Sequence, residues 1–242
     1  MVQPARRAID WVELGLVPDA VVRAGIRRLC DARLREIDAG NCERAASATE
    51  DFVAQMDAAE LAPVPHLANE QHYEVPADFF RHALGPHLKY SCAWWLDSTR
   101  TLERAETLAL AATCERAGLA DGQRILELGC GWGSLTLWMA AHYRRSHVTA
   151  VSNSASQRAW IEAQARERGL NNVTVITADM NQFAAPGRYD RVVSVEMFEH
   201  MRNWRALFAR VADWLEPGGR FFMHVFCHRS TPYAFVDGGP AD

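Results

Sequence analysis

From residue 121 onward, short apolar runs alternate with amphipathic stretches, and this rhythm restricts the fold more than any other feature of the chain. RILELG, HVTAVSN, VTVITAD, YDRVVSVEM and RFFMHVF read as strands. GSLTLWMAAHY, SASQRAWIEAQARERG and NWRALFARVADWL read as helices, the second closed by Gly169 and the third stopped by Pro217-Gly218-Gly219. Strand–helix alternation of this kind builds right-handed βαβ units, so the expected class is α/β: a parallel sheet with helices on both faces. Ligands of such sheets bind beyond the carboxyl ends of the strands.

The preceding residues differ in character. Up to about residue 61 the pattern is helical. Val21, Val22, Ile26, Leu29, Leu34 and Ile37 recur at helical spacing, with Pro18-Asp19 as a start and Gly40-Asn41 as a stop. Residues 62–120 open with Pro63 and Pro65 and carry the aromatic stretch HYEVPADFFRHALGPHLKYSCAWW. The expected organisation is a helical extension (1–61), an aromatic-rich connecting region (62–120), and a ligand-binding α/β domain (121–242). A net charge of −4 gives no electrostatic case for nucleic acid. No apolar run approaches the ~20 residues that span a bilayer. The six cysteines form no C-x-x-C pair and fit reduced thiols, so a cytoplasmic location is expected.

The residues with chemistry fall at the strand ends. ELGCGWG places Glu127 before Gly129, Cys130, Gly131 and Gly133, where a helix opens. Glycines let the backbone turn tightly and approach a ligand. The spacing is G-x-G-x-G rather than the dinucleotide G-x-G-x-x-G, and the next strand ends in Ser152-Asn153 instead of an acid. The bland alternative is an ordinary strand-to-helix turn. VVSVEMFEHMRNW ends a β-branched run with Glu196, Glu199 and His200. Its bland alternative is that Glu199 caps the following helix and His200 is a satisfied polar residue. MHVFCH invites a metal reading through His224, Cys227 and His228, but closes no tetrahedral set by itself, and no metal is assigned.

HYEVPADFF, KYSCAWW, ELGCGWG, VSNSASQ, EMFEHMRNW and MHVFCH, in this order along the chain, resemble the cyclopropane-fatty-acid synthase family of class I S-adenosylmethionine-dependent methyltransferases, and within it the coclaurine N-methyltransferase branch. LVPDAVVRAGIRRLC resembles the N-terminal helical region of that branch. The resemblance implies a Rossmann-like sheet with S-adenosylmethionine as cofactor. Gly129, Gly131 and Gly133 would lie against its methionine and ribose parts, with Glu127 and Cys130 in the same turn. Tyr90 and Ser91 would reach its methionine end. Ser152, Asn153 and Gln157 would follow the second strand, the last two holding the ribose hydroxyls. Asp179 and Met180 would flank the adenine, where the alternative for Asp179 is a turn cap. The resemblance also implies more strands beyond Asp242, so the chain looks truncated. An uncovered sheet edge then invites pairing, including a homodimer.

Two activities follow from the resemblance. In the lipid-modifying members, the position of Glu196 is typically Gly, and a bound bicarbonate removes the proton; Cys92, Glu199 and His224 match the positions that cradle it. In the amine N-methyltransferases the segment reads EMFEH, as here. A carboxylate can orient an amine, stabilise its growing charge and take its proton. The favoured expectation is N-methylation of a small-molecule amine, with Glu196 near the junction of cofactor and acceptor and Glu199 and His200 as the catalytic pair. The rivals are cyclopropanation of unsaturated lipid acyl chains, with bicarbonate as an added cofactor, and a non-catalytic S-adenosylmethionine-binding fragment.

Overall fold

The computed structural model describes residues 4–36, 41–63, 77–228 and 231–232. Ile37, Gly40 and the first part of the aromatic stretch, His72 included, lie outside the described residues. The chain divides into two compact units, Met1–Gln55 with Cys227–Asp242, and Met56–Phe226.

In the first unit, α1 (Pro4–Glu13) precedes α2 (Asp19–Glu36) and the larger part of α3 (Cys42–Ala58). The start of α2 is where Pro18-Asp19 predicts it. Asn41, expected to help end α2, instead caps α3: its side-chain oxygen accepts the Arg44 amide at 3.0 Å. Val21, Ile26, Leu29 and Leu34 keep their helical spacing and are exposed.

In the second unit, α4 (Ala77–Ala83) and α5 (Leu102–Arg116) lead into the expected alternation. It runs β1 (Arg124–Leu128), α6 (Ser134–His142), β2 (His147–Ser152), α7 (Ala155–Glu167), β3 (Val173–Thr177), β4 (Tyr189–Val195), a 3-10 turn (Phe198–His200), α8 (Trp204–Trp214) and β5 (Leu215–His224). The strands are parallel, in the order β3-β2-β1-β4-β5. The chain moves outward from β1 to β3 and then returns to the other side of β1, so the sheet has its switch point between β1 and β4.

Side-chain alternation along β1 sorts the core into two layers. Ile125 packs with Leu110 of α5, Met139 of α6 and Ile161 of α7, whereas Leu126 and Leu128 pack with Phe198 and with Leu207 and Val211 of α8. Glu127 therefore points to the same face as Ile125, toward α6.

The end of α8 differs from expectation. The helix stops at Trp214, ahead of Pro217-Gly218-Gly219, because Leu215 already pairs with Tyr189 of β4. The next aligned pair is Arg191 with Arg220, so residues 216–219 form an irregularity inside β5. Gly219 fits there because a Cβ would stand 2.8 Å from the Glu216 carbonyl oxygen.

Candidate active site

At the end of β1 the three glycines meet different surroundings. A Cβ on Gly129 would stand 2.7 Å from Met197, so this turn packs directly on the turn after β4. A Cβ on Gly133 would meet Ile161 of α7 at 2.5 Å. Gly131 has φ +51° and open space where its side chain would be. That space lies over the carboxyl ends of the strands and can admit a ligand. Cys130 sends its thiol into the core, where burial pushes it well above the usual range, and offers the site only backbone.

Glu127 is 3% exposed and accepts the Thr136 hydroxyl of α6 at 2.5 Å. Burial pushes its carboxyl up to about 8, against a smaller downward pull from Thr136. The folded state thus holds this proton more tightly than the unfolded chain. The stabilisation is complete below the ordinary value of 4.5 and disappears as pH rises through about 8. Urea unfolding of the ligand-free protein should show stability falling across that window, and Glu127→Gln should flatten this part of the profile; an unchanged slope would show that Glu127 is not its source.

After β2, the Ser152 hydroxyl donates to Gln157 Oε1 at 2.6 Å and accepts the Ser154 amide at 3.0 Å. Gln157 is 1% exposed, and its Nε2 is buried with no partner among the described residues. Such an amide wants an acceptor. Asn153 is half-buried beside it. After β3, Asp179 Oδ1 accepts the Asn181 amide at 2.9 Å, so one oxygen does serve the local turn, while Met180 is buried in the α8-side layer.

Just after β4, Glu196 has φ +51°, a left-handed conformation that costs a non-glycine residue free energy. Its amide donates to the His224 carbonyl at 2.8 Å, tying the ends of β4 and β5 together. The Cys92 sulfur, a Glu196 carboxylate oxygen and a His224 ring nitrogen all lie within 4.8 Å of one another. The Cys92 amide stands 3.5 Å from Glu196 Oε1. Burial and the Glu196 carboxylate both push the Cys92 thiol up. Glu199 is not a helix cap: Asn203 caps α8, accepting the Ala206 amide at 2.9 Å. Glu199 Oε1 instead accepts the Phe226 amide at 3.0 Å, and its Oε2 is buried with no partner among the described residues. His200 ends the 3-10 turn and is exposed.

Three residues that position this site are not picked out as site residues from the sequence. Glu106, 1% exposed on α5, accepts the amides of Gly85 at 3.0 Å, His87 at 3.0 Å and Lys89 at 3.2 Å. It thereby clamps the loop that presents Tyr90, Ser91 and Cys92. Its only sequence signal is an acid on the buried face of a helix. Lys89 is 7% exposed, its ammonium donates to the Ser91 hydroxyl, and burial lowers its pKa. Thr136 is the third. On the other side of the loop, Phe80 bridges Tyr90 and Trp132, with ring centroids 5.5 and 5.1 Å apart. Glu106→Gln turns an NH₂ either toward the His87 amide or toward those of Gly85 and Lys89, and should cost about 3 kcal/mol in urea unfolding. Hydrogen exchange should speed up first at residues 85–89; uniform protection would refute the clamp.

A five-stranded parallel sheet with a Gly-rich turn after β1 and polar groups gathered over the β1/β4 switch point is the Rossmann-like fold of class I methyltransferases. A crystal structure of coclaurine N-methyltransferase bound to N-methylheliamine and SAH superposes on 96% of this chain and 67% of its own, with a TM-score of 0.91 and 35% identity. The family described as mycolic acid cyclopropane synthetase matches residues 65–238, and the chain belongs to it. The (S)-coclaurine N-methyltransferase of Thalictrum flavum subsp. glaucum is 38% identical over 224 residues, 93% of this chain and 62% of the relative. The cyclopropane-fatty-acyl-phospholipid synthase of Escherichia coli (strain K12) is 38% identical over 167 residues, 68% of this chain and 42% of the relative. The chain thus spans 62% of the length of the coclaurine relative. No helix among the described residues is long and apolar enough to cross a membrane.

Proposed function

We propose that the protein is an S-adenosylmethionine-dependent methyltransferase that N-methylates a small-molecule amine. The observation that carries this reading is the Glu196 carboxylate, set beside Cys92 and His224 at the switch point. The open space at Gly131 and the unpartnered Gln157 amide suit a ligand with sugar hydroxyls, which fits the cofactor. When bound, the cofactor would supply a methyl group on a sulfonium, and a neutral amine would take that methyl as the thioether leaves. The residues then have three tasks. Glu196 orients the amine and balances the positive charge it gains. Glu199, held by the Phe226 amide, keeps Oε2 available to an N–H donor. His200, exposed at the turn, can pass the released proton to solvent.

The lipid reading needs bicarbonate between Cys92, Glu199 and His224. Glu196 already projects a carboxylate to within 4.8 Å of the Cys92 and His224 ligand atoms, so a second anion would meet like charge there. In the lipid-modifying members the resemblance implies Gly at this position, where this chain has Glu196.

The test is to follow methyl-labelled S-adenosylmethionine into a panel of secondary and tertiary amines beside unsaturated phospholipid vesicles, using this chain and any longer form. Label should appear on an amine, and Glu199→Gln or His200→Ala should each lower the rate by about 10²- to 10³-fold. Label in lipid alone would overturn the amine reading. Transfer by a longer form only would make this chain the cofactor-binding part of the enzyme.

A further inference from the structure

The ends of β4 and β5 and the loop before α5 bring together a sulfur, an oxygen and a nitrogen, one each from Cys92, Glu196 and His224. We infer that these three residues form a binding site for a borderline-soft divalent cation such as Zn²⁺, and that the cation, once bound, occludes the reaction centre. The donor set selects the metal. Thiolate with imidazole and carboxylate suits Zn²⁺ or Co²⁺ and is a poor match for Mg²⁺ or Ca²⁺, which take oxygen ligands.

The geometry needs little adjustment. Bonds of about 2.0–2.3 Å in a tetrahedron put neighbouring ligand atoms roughly 3.3–3.8 Å apart. The three atoms already lie within 4.8 Å of one another, so rotation about side-chain bonds closes the set. Two of the ligand-bearing residues are fixed at the backbone by the amide of Glu196 on the carbonyl of His224, at 2.8 Å. Cys92 is exposed, which gives the ion a way in. Three protein ligands leave a fourth tetrahedral position for water.

Charge balances as well. A thiolate, a carboxylate and a neutral imidazole together offset the two positive charges of the ion. Cys92 must lose its proton to solvent for this. The groups that act on the thiol are Glu196, which opposes that loss, and Lys89, which favours it. The exposed pair Cys227 and His228 could compete for metal and serves as the internal control.

Metal binding stands independently of the proposed activity; only the occlusion rests on it. The experiment is a titration of the chelator-treated protein with Co²⁺, read by the thiolate-to-cobalt charge-transfer band and the visible bands of tetrahedral cobalt. One equivalent should bind at micromolar concentration. Cys92→Ser should abolish the charge-transfer band, and His224→Gln should weaken binding by roughly 10-fold or more. Cys227→Ser should leave both signals intact, with thermal melts showing that each variant is folded. A band that survives Cys92→Ser, a band lost in Cys227→Ser, or no saturable binding would overturn the site. With an amine substrate in hand, Zn²⁺ should abolish transfer over the same concentration range. An unaffected rate at saturating cation would overturn the occlusion while leaving the binding result to be judged on its own spectrum.

Discussion

Glu196→Gly should produce a protein that is more stable than the parent and almost inactive toward amines. The two effects have separate causes. Glu196 adopts φ +51°, where a Cβ crowds the backbone and glycine does not. Removing that strain should raise unfolding stability by about 1 kcal/mol, even after the greater freedom of glycine in the unfolded chain is counted. Removing the carboxylate takes away the group that balances charge on the amine, and the rate should fall by about 10²- to 10³-fold. The substitution also opens a space beside Cys92 and His224 large enough for a small diffusible oxyanion. Added formate or bicarbonate should therefore restore part of the lost rate in the glycine variant and do nothing for the parent. Urea midpoints and initial rates with and without formate decide the matter. A variant that is less stable, or one that keeps the parental rate, would remove Glu196 from the role given to it here.

The second large effect separates two glycines of the same turn. Gly133→Ala places a Cβ 2.5 Å from Ile161 Cγ1, in a fully buried layer, at φ +81°. Overpacking and left-handed strain together should cost about 3 kcal/mol, and the protein should melt early with or without ligand. Gly131→Ala meets nothing within 4 Å and carries only the strain of φ +51°, about 1–2 kcal/mol. Its methyl group, however, enters the open space at the strand ends. That variant should fold, yet lose most of the thermal stabilisation that S-adenosylhomocysteine gives the parent. If Gly131→Ala kept the full ligand-induced shift, the cofactor would not pass over that turn.

Much of the architecture is legible in the chain because it rests on local signals. The alternation after residue 121 gives strands and helices their order, and ELGCGWG, SNSASQ and EMFEHMRNW mark three strand ends. The irregularity at 216–219 was not legible. Pro-Gly-Gly reads as a helix stop, but the pairing of Leu215 with Tyr189 ends the helix first. Glu199 shows the same limit. An acid just before a helix reads equally well as a cap, and only the position of the Phe226 amide and of Asn203 decides against it.

The sequence by itself determines the sheet, its parallel connections and the residue types placed at its carboxyl edge, because hydrophobic period and turn chemistry act between near neighbours along the chain. The tertiary structure alone decides which of those residues meet. Glu106 clamps the 85–89 loop from 17 to 21 positions away, Cys92 meets Glu196 across 104 residues, and Glu127 keeps its proton because α6 folds over it. Contacts at such separations, and the burial that shifts a carboxyl group, arise only when the layers close and exclude water, so no local pattern encodes them.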